Sequence, residues 1–333
     1  MSNRRLWIGI LISLITILLS VRGIDWAGLR DTLSQVRWVW LLPTSLLLVV
    51  TMVGRAIRWR LLFHPLEHLS LKRLFNILNI GYMLNNVLPV RLGDVARAYL
   101  CTEFDDIPVS RALSTVVVER VADVFTIVLL LVLILPSTAV PASVVGSARG
   151  AGLFALVAGT LLVFLVLRRE SSMRLLEPLI GRLPDSMGSW LRQNLEAALE
   201  GLLALGTWRG MLAILISSLA IWLCAGLQFW MCFPALGLSL PLGAALAVLC
   251  VTSLGMVVPS SPGYIGVFEY LTVVALGAFA VPSETALGYA LVLHGSMYLA
   301  VIALGLAGVV AEGLSYARLR VAVSSRGPQG LAT

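Results

Sequence analysis

The chain has 333 residues, 59% of them hydrophobic and 12% charged, and its mean hydropathy is +0.95. Soluble domains carry about 25% charged residues, so a soluble globular protein is excluded and a polytopic membrane protein remains. The net charge of +7 would suggest nucleic acid in a soluble chain; here cationic loops on the cytoplasmic face of a membrane account for it, and no nucleic-acid partner is expected.

Residues 6–21 form the first apolar segment. The preceding Arg4-Arg5 pair resembles the start of a signal peptide, but no small-residue cleavage site follows, so the segment reads as an uncleaved first span. Residues 22–37 are an amphipathic connector with Trp26 and Trp38 as interface anchors. Residues 38–53 are the second span, with Arg55, Arg58 and Arg60 as its basic flank and Lys72 and Arg73 beyond. Residues 74–89 are apolar but end in Pro89, with Arg91, Gly93, Asp94 and Arg97 close behind. Proline removes a backbone donor and glycine weakens a helix, so the backbone is expected to break here. Residues 115–135 form a strong span whose first turns carry Glu119, Arg120 and Asp123.

After a small-residue loop, residues 151–167 span again, and residues 168–209 are amphipathic and suited to the membrane surface. Residues 211–233 span; residues 242–258 and 264–281 flank a second break that holds Pro259, Pro262, Gly263 and Gly266, followed by Glu269. Residues 286–312 are the last span, and a basic tail with Arg318, Arg320 and Arg326 ends the chain.

Arginine placement sets the expected orientation. With both termini in the cytoplasm, most of the 24 Lys and Arg fall inside, provided that residues 74–89 return to the face they left. That segment is then re-entrant or a pair of half-helices, and the second break must dip from the opposite face. The fold class expected is all-α: a polytopic transmembrane helical bundle with two re-entrant or broken-helix segments. Pro89-x3-Gly93 and Pro259-x3-Gly263 share their spacing, as an inverted-topology repeat would produce. The division expected is one membrane domain over residues 1–320, with half-repeats at about 1–167 and 210–315 joined by a cytoplasmic amphipathic segment, 168–209. A flexible basic tail, 321–333, follows.

Broken backbone at membrane depth persists only against protein or a water-filled cavity, and ionisable side chains there mark function. Arg91, Asp94 and Arg97 sit three residues apart, and a helix start near Gly93 adds free N–H groups, a combination that suits phosphate. Glu119 and Asp123 share a helical face, and Arg120 reaches Asp123 at i+3. Glu269 stands alone in apolar sequence and needs a partner or a proton. A surface ion-pair loop and a purely structural buried network are the bland alternatives for these groups.

The enzyme signals are weak. His64-x-x-Glu67-His68 has the spacing of a zinc motif, but Pro65 opposes the helix it needs, and no third ligand is evident. Ser260 and Ser261 lack a base, His294 reads as a hydrogen-bonded core histidine, and no phosphate-binding loop or dinucleotide fingerprint is present. No cofactor or metal is expected. Cys101, Cys224, Cys232 and Cys250 show no paired spacing and read as small core residues.

The run Asn86-x-Leu88-Pro89-x-Arg91-x-Gly93-Asp94-x-x-Arg97, the Glu119-Arg120-x-x-Asp123 cluster and Pro259-x-x-Pro262-Gly263-x-x-Gly266-x-x-Glu269 together resemble the membrane domain of the lysylphosphatidylglycerol synthase/flippase family. The resemblance covers about residues 5–320. It implies a stand-alone flippase-like membrane domain without the soluble aminoacyl-transfer domain of the full-length synthases, so lysyl transfer is not implied. Two residues depart from the family pattern: Asp94 stands where Glu is usual, and Tyr264 where a second Gly is common.

These readings converge on lipid translocation, or anionic-lipid binding, in the plasma membrane. Arg91, Arg97 and Arg120 would hold the head group, and Asp94, Glu119, Asp123 and Glu269 would position those arginines or relay protons. Asn86, Pro89, Gly93, Pro259, Pro262, Gly263 and Gly266 would shape the surrounding backbone. The partner expected is a phospholipid or lipid-linked substrate; a protein partner that supplies enzymatic activity, and an oligomer, are compatible with the sequence. The rival readings are a membrane-embedded transferase on a lipid-linked substrate and a non-catalytic partner of a lipid-modifying enzyme.

Overall fold

The computed structural model describes residues 3–64, 69–88, 92–134, 185–200, 202–256 and 261–315 and isolated positions at 153, 157, 160, 164, 168 and 318; side chains of 3–10, 185, 186, 190 and 204 are not described. The described residues form eleven α-helices: α1 (Asn3–Val21), α2 (Trp26–Ser34), α3 (Leu41–Leu62), α4 (Leu71–Val87), α5 (Leu92–Asp105), α6 (Val109–Ile134), α7 (Asp185–Glu200), α8 (Trp208–Cys232), α9 (Leu242–Gly255), α10 (Val267–Gly277) and α11 (Ser283–Ala311). Short 3-10 turns precede α3, follow α8 and lie between α9 and α10. No strand occurs among the described residues. The protein is an all-α polytopic membrane protein.

Three stretches, Trp38–Leu62, Trp208–Leu236 and Ser283–Ala311, are long and apolar enough to cross a membrane. At about 1.5 Å per residue they exceed a hydrocarbon core of about 30 Å. The pair Leu11–Val21 and Trp26–Ser34, bent by 90°, adds a fourth if it forms one broken span. Asp25 starts α2 by accepting the Ala27 N–H at 3.0 Å, so the chain turns instead of continuing α1. The first expected break separates α4 from α5, and the second separates α9 from α10. Pro89, Arg91 and Pro259 fall within these breaks but outside the described residues, as do Pro65, Glu67 and His68 of the histidine motif and most of residues 151–167.

Packing interleaves the chain. α3 lies along α8, α4 along α11, α1 against α10 and α6 against α9, so helices from before residue 168 contact helices from after residue 209. One apolar cluster centres on α6, α8, α9 and α11, with Leu131, Phe233, Val248 and Leu293 buried. The other centres on α3 to α6, with Leu48, Trp59, Leu74, Ile77 and Leu100 buried. Outward-facing Leu42, Leu133, Leu299 and Val310 are more than half exposed, which suits side chains whose solvent is lipid. Of the amphipathic segment, α7 packs on α6, and Arg111 reaches Glu200 at 3.5 Å.

Candidate functional site

The second span does not stop where its hydropathy falls. α3 continues through Leu62, and its last turns carry Arg55 and Arg58 three residues apart on one face. Both are buried, Arg58 completely. This corrects their reading as a basic flank: the helix keeps them inside because carboxylates await them on α6. Arg58 donates from Nη1 to Asp123 Oδ1 at 2.7 Å and to Ser218 Oγ at 2.8 Å, and from Nη2 to Glu119 Oε1 at 3.0 Å. Arg97 of α5 donates from Nη2 to the other Glu119 oxygen at 2.6 Å. Its guanidinium lies 4.8 Å from the centre of the Trp59 ring, a cation–π contact. The Trp59 indole donates to Thr115 Oγ1 at 3.0 Å, and the Trp222 indole to Asp123 Oδ1 at 2.9 Å. Glu119 is fully buried, with one oxygen on each of two arginines.

Arg120 lies round the helix from this face, as its spacing predicts, and its side chain is 32% exposed. It pairs with Asp94 at 3.0 Å and with Asp123 Oδ2 at 3.6 Å. Asp94 also accepts from the Asn85 amide at 3.3 Å and lies 3.5 Å from Arg97 Nε. Gly93 is required by contact: a Cβ there would overlap the Gly81 carbonyl of α4. Its N–H donates to Asn85 Oδ1 at 2.9 Å. At the start of α5, where a phosphate site was expected, Arg91 lies outside the described residues. The Gly93 amide is taken by α4; Arg97, only 1% exposed, bonds Glu119 through Nη2 while its Nε and Nη1 have no hydrogen-bond partner.

The second break is shaped by three positive-φ residues within four positions. Gly263, Tyr264 and Gly266 have φ of +70°, +59° and +90°. For tyrosine this conformation costs about 1–2 kcal/mol, so the turn persists against its own residue at the position where the family pattern has glycine. Pro262 opens the turn. A Cβ on Gly266 would sit 2.6 Å from the Ser13 carbonyl of α1, and the Ser261 N–H donates to Ser13 Oγ at 2.9 Å. Glu269 is neither alone nor with the arginines. Its Oε2 accepts the Gly266 N–H at 2.6 Å, capping α10, and its Oε1 lies 2.6 Å from His294 Nδ1.

The two breaks meet. A Cβ built on Gly263 would lie 3.4 Å from the Asn86 carbonyl at the end of α4. Beside this meeting point is a cavity of about 220 Å³. Arg55, Tyr82 and Asn86 line it from α3 and α4; Trp222 and Gln228 from α8; Gly263 and Tyr264 from the second break; His294 from α11. Its wall is mostly apolar, and Arg55 is its one arginine. The Arg55 guanidinium sits 5.5 Å and 5.6 Å from the Trp222 and Tyr82 ring centres. It donates to the Tyr82 hydroxyl at 3.0 Å but stands 3.5 Å from Asp123 Oδ2. Arg55 Nε and Gln228 Nε2 have no hydrogen-bond partner. Among the described residues, four guanidiniums, on Arg55, Arg58, Arg97 and Arg120, face three carboxylates, on Asp94, Glu119 and Asp123. Of these four, Arg55 is the one that lines the cavity.

Sequence reasoning found Glu119, Arg120, Asp123, Asp94 and Arg97 as a group, and the structure brings them together. It missed Arg55 and Arg58, whose i, i+3 spacing matches the i, i+4 pair on α6; that complementarity was the available signal. Tyr82, Trp222 and Gln228 carried none. Among the described residues no His, Cys, Asp and Glu group could hold a metal ion.

No curated protein matches the chain. A family profile described as lysylphosphatidylglycerol synthase TM region matches residues 6–305, which takes in both breaks, the arginine–carboxylate cluster and the cavity. The chain belongs to that family, and its role is a lipid-related one in the membrane.

Proposed function

We propose that the cavity between the two breaks holds the anionic head group of a phospholipid while the acyl chains stay in the bilayer, and that the protein moves this lipid between leaflets. The observation that carries the reading is Arg55: the arginine on the wall of an apolar chamber, 3.5 Å from its nearest carboxylate and with its Nε unbonded. Phosphate oxygens accept only, and guanidinium forks suit them. The Gln228 amide, also short of an acceptor, adds a second donor beside the cavity. A volume of about 220 Å³ lies below the roughly 300–1,000 Å³ of sites that enclose whole drug-sized ligands, which fits a head group whose tails remain outside.

Arg55 replaces Arg91, Arg97 and Arg120 as the principal head-group contact in this reading. Asp94, Glu119 and Asp123 set the field behind it, and Asn86, Gly263 and Gly266 shape the chamber. The two breaks act as counterparts in opposite halves of one membrane domain, in a plasma membrane with both termini cytoplasmic.

Reconstitution tests the function. Vesicles of phosphatidylcholine containing a trace of fluorescent phosphatidylglycerol are given the purified protein, and the label in the outer leaflet is quenched chemically. Faster loss of the inner-leaflet signal than in protein-free vesicles, with the lipid chemically unchanged by mass spectrometry, is the expected result. Equal rates with and without protein would overturn translocation, and an altered lipid mass would favour a transferase.

A further inference from the structure

We infer that the cavity is built for a polyol head group, a phosphodiester whose far end carries hydroxyls and no ammonium, and that Gln228 is the residue that selects for those hydroxyls. The inference rests on the head-group reading above and names the class of head group within it.

The charges on the wall set what is refused. Among the described residues lining the cavity there is one arginine, Arg55, and no aspartate or glutamate. Two carboxylates touch lining residues without lining the cavity themselves, and both are engaged. Asp123 accepts from Arg58 at 2.7 Å and from the Trp222 indole at 2.9 Å. Glu269 accepts the Gly266 N–H and meets His294 Nδ1, each at 2.6 Å. An ammonium held without a carboxylate needs a cage of aromatic faces, and here the rings are engaged with the protein's own groups. The Trp222 and Tyr82 rings carry the Arg55 guanidinium. Phe268 packs on His294 with centroids 4.5 Å apart and meets Phe229 edge-on at 6.2 Å; Tyr298 meets His294 edge-on at 6.4 Å. A second cation entering this space would share it with Arg55 and find no counter-charge, and burying a charge unpaired is costly.

What the wall offers besides Arg55 is neutral and polar. Asn86, Gln228 and Ser253 line the cavity from α4, α8 and α9. Gln228 is only 3% exposed, and its Nε2 has no hydrogen-bond partner. A carboxamide both donates and accepts, and so does a hydroxyl, whereas an ammonium only donates. Gln228 follows Trp222 by six residues on α8, about 9 Å along the helix axis. The guanidinium on the Trp222 ring and the Gln228 amide are therefore separate points on one wall. The phosphate takes the first, and the far end of a short head group reaches the second. Lysylphosphatidylglycerol, the lipid in the family's description, adds two ammonium groups to the glycerol; by this inference the cavity disfavours it against the unmodified polyol lipid.

The test measures binding at neutral pH to full-length protein in a polyoxyethylene detergent. The probes share the same short acyl chains: phosphatidylglycerol, phosphatidylethanol, phosphatidylethanolamine and lysylphosphatidylglycerol. Phosphatidylethanol keeps the single negative charge but lacks a hydroxyl, and wild type is expected to bind it about tenfold more weakly than phosphatidylglycerol, the value of about one hydrogen bond. The two amine lipids should bind more weakly again. Gln228→Leu should bring the ratio of phosphatidylglycerol to phosphatidylethanol affinity down to about one. Gln228→Glu adds a carboxylate to the wall and should shift preference from phosphatidylglycerol toward phosphatidylethanolamine. Equal wild-type affinity for phosphatidylglycerol and phosphatidylethanol, or amine lipids bound as tightly as phosphatidylglycerol, would overturn the inference and leave the head-group site standing. A wild-type ratio retained in Gln228→Leu would overturn the role of Gln228. Equal affinity for deacylated glycerophosphoglycerol would overturn the lipid reading and keep the polyol selectivity. No binding of any probe would remove the site and the inference together.

Discussion

Arg58 and Arg55 lie one helical turn apart on α3 and have opposite surroundings. Arg58 is wholly buried and donates to Asp123, Glu119 and Ser218. Arg55 leans on two aromatic rings, bonds one hydroxyl, stands 3.5 Å from Asp123 and borders an apolar chamber. Arg58 bonds two carboxylates at 2.7–3.0 Å, whereas the nearest carboxylate to Arg55 is 3.5 Å away. Ionisable residues inside a membrane protein are read as functional by default. Under the proposed head-group reading, the contrast refines that rule: the site is marked by charge beside space, and the densest cluster is scaffold.

The widest separation between the two regions should come from truncating the scaffold. Arg58→Ala leaves Glu119 and Asp123 buried with a counter-ion missing, and breaking such a pair costs about 3–5 kcal/mol. Thermal unfolding in detergent should show a large fall in stability, with lipid binding lost only as the protein unfolds. Loss of binding in a fully stable Arg58→Ala protein would reverse the assignment.

Arg55→Gln should show the complementary pattern. Asp123 keeps Arg58 and the Trp222 indole, so stability should fall by about 1 kcal/mol or less. Affinity for phosphatidylglycerol should drop about 10- to 100-fold, the value of one charge-assisted contact of about 1.5–3 kcal/mol. Affinity for phosphatidylcholine measured alongside tells a lost charge from a collapsed cavity, since a collapsed cavity would weaken both.

The smallest effect belongs to the rim. Asp94 holds the partly exposed Arg120, and Asp94→Glu, the residue usual in the family pattern, should change the unfolding free energy by less than about 1 kcal/mol. A larger loss would place Asp94 in the sealed scaffold.

How much of this was legible before folding depends on which physical signal each residue carries. Helical membrane architecture follows from hydropathy, and the breaks follow from Pro262, Gly263 and Gly266, because few residues tolerate such backbone. Tyr264 kept the turn despite lacking glycine's freedom, since packing around it outweighs a local preference of one or two kcal/mol. Arg55 and Arg58 were misplaced because averaged hydropathy ends a span at the first charge, whereas a helix ends when its side chains run out of partners. Glu269 looked solitary because its partner, His294, lies 25 residues away on another helix. His294 was read as a bonded core histidine; it is bonded, and it also lines the chamber.

The bond from the Ser261 N–H to Ser13 joins residues 248 positions apart, and it bears on how the protein is made. At about 5–20 residues per second, α1 emerges from the ribosome roughly 12–50 s before the strand-like turn it clasps. For that interval the first helix sits in the bilayer with its docking partner unmade. The cavity between the two breaks can therefore take shape only after the second break and α11 have been made.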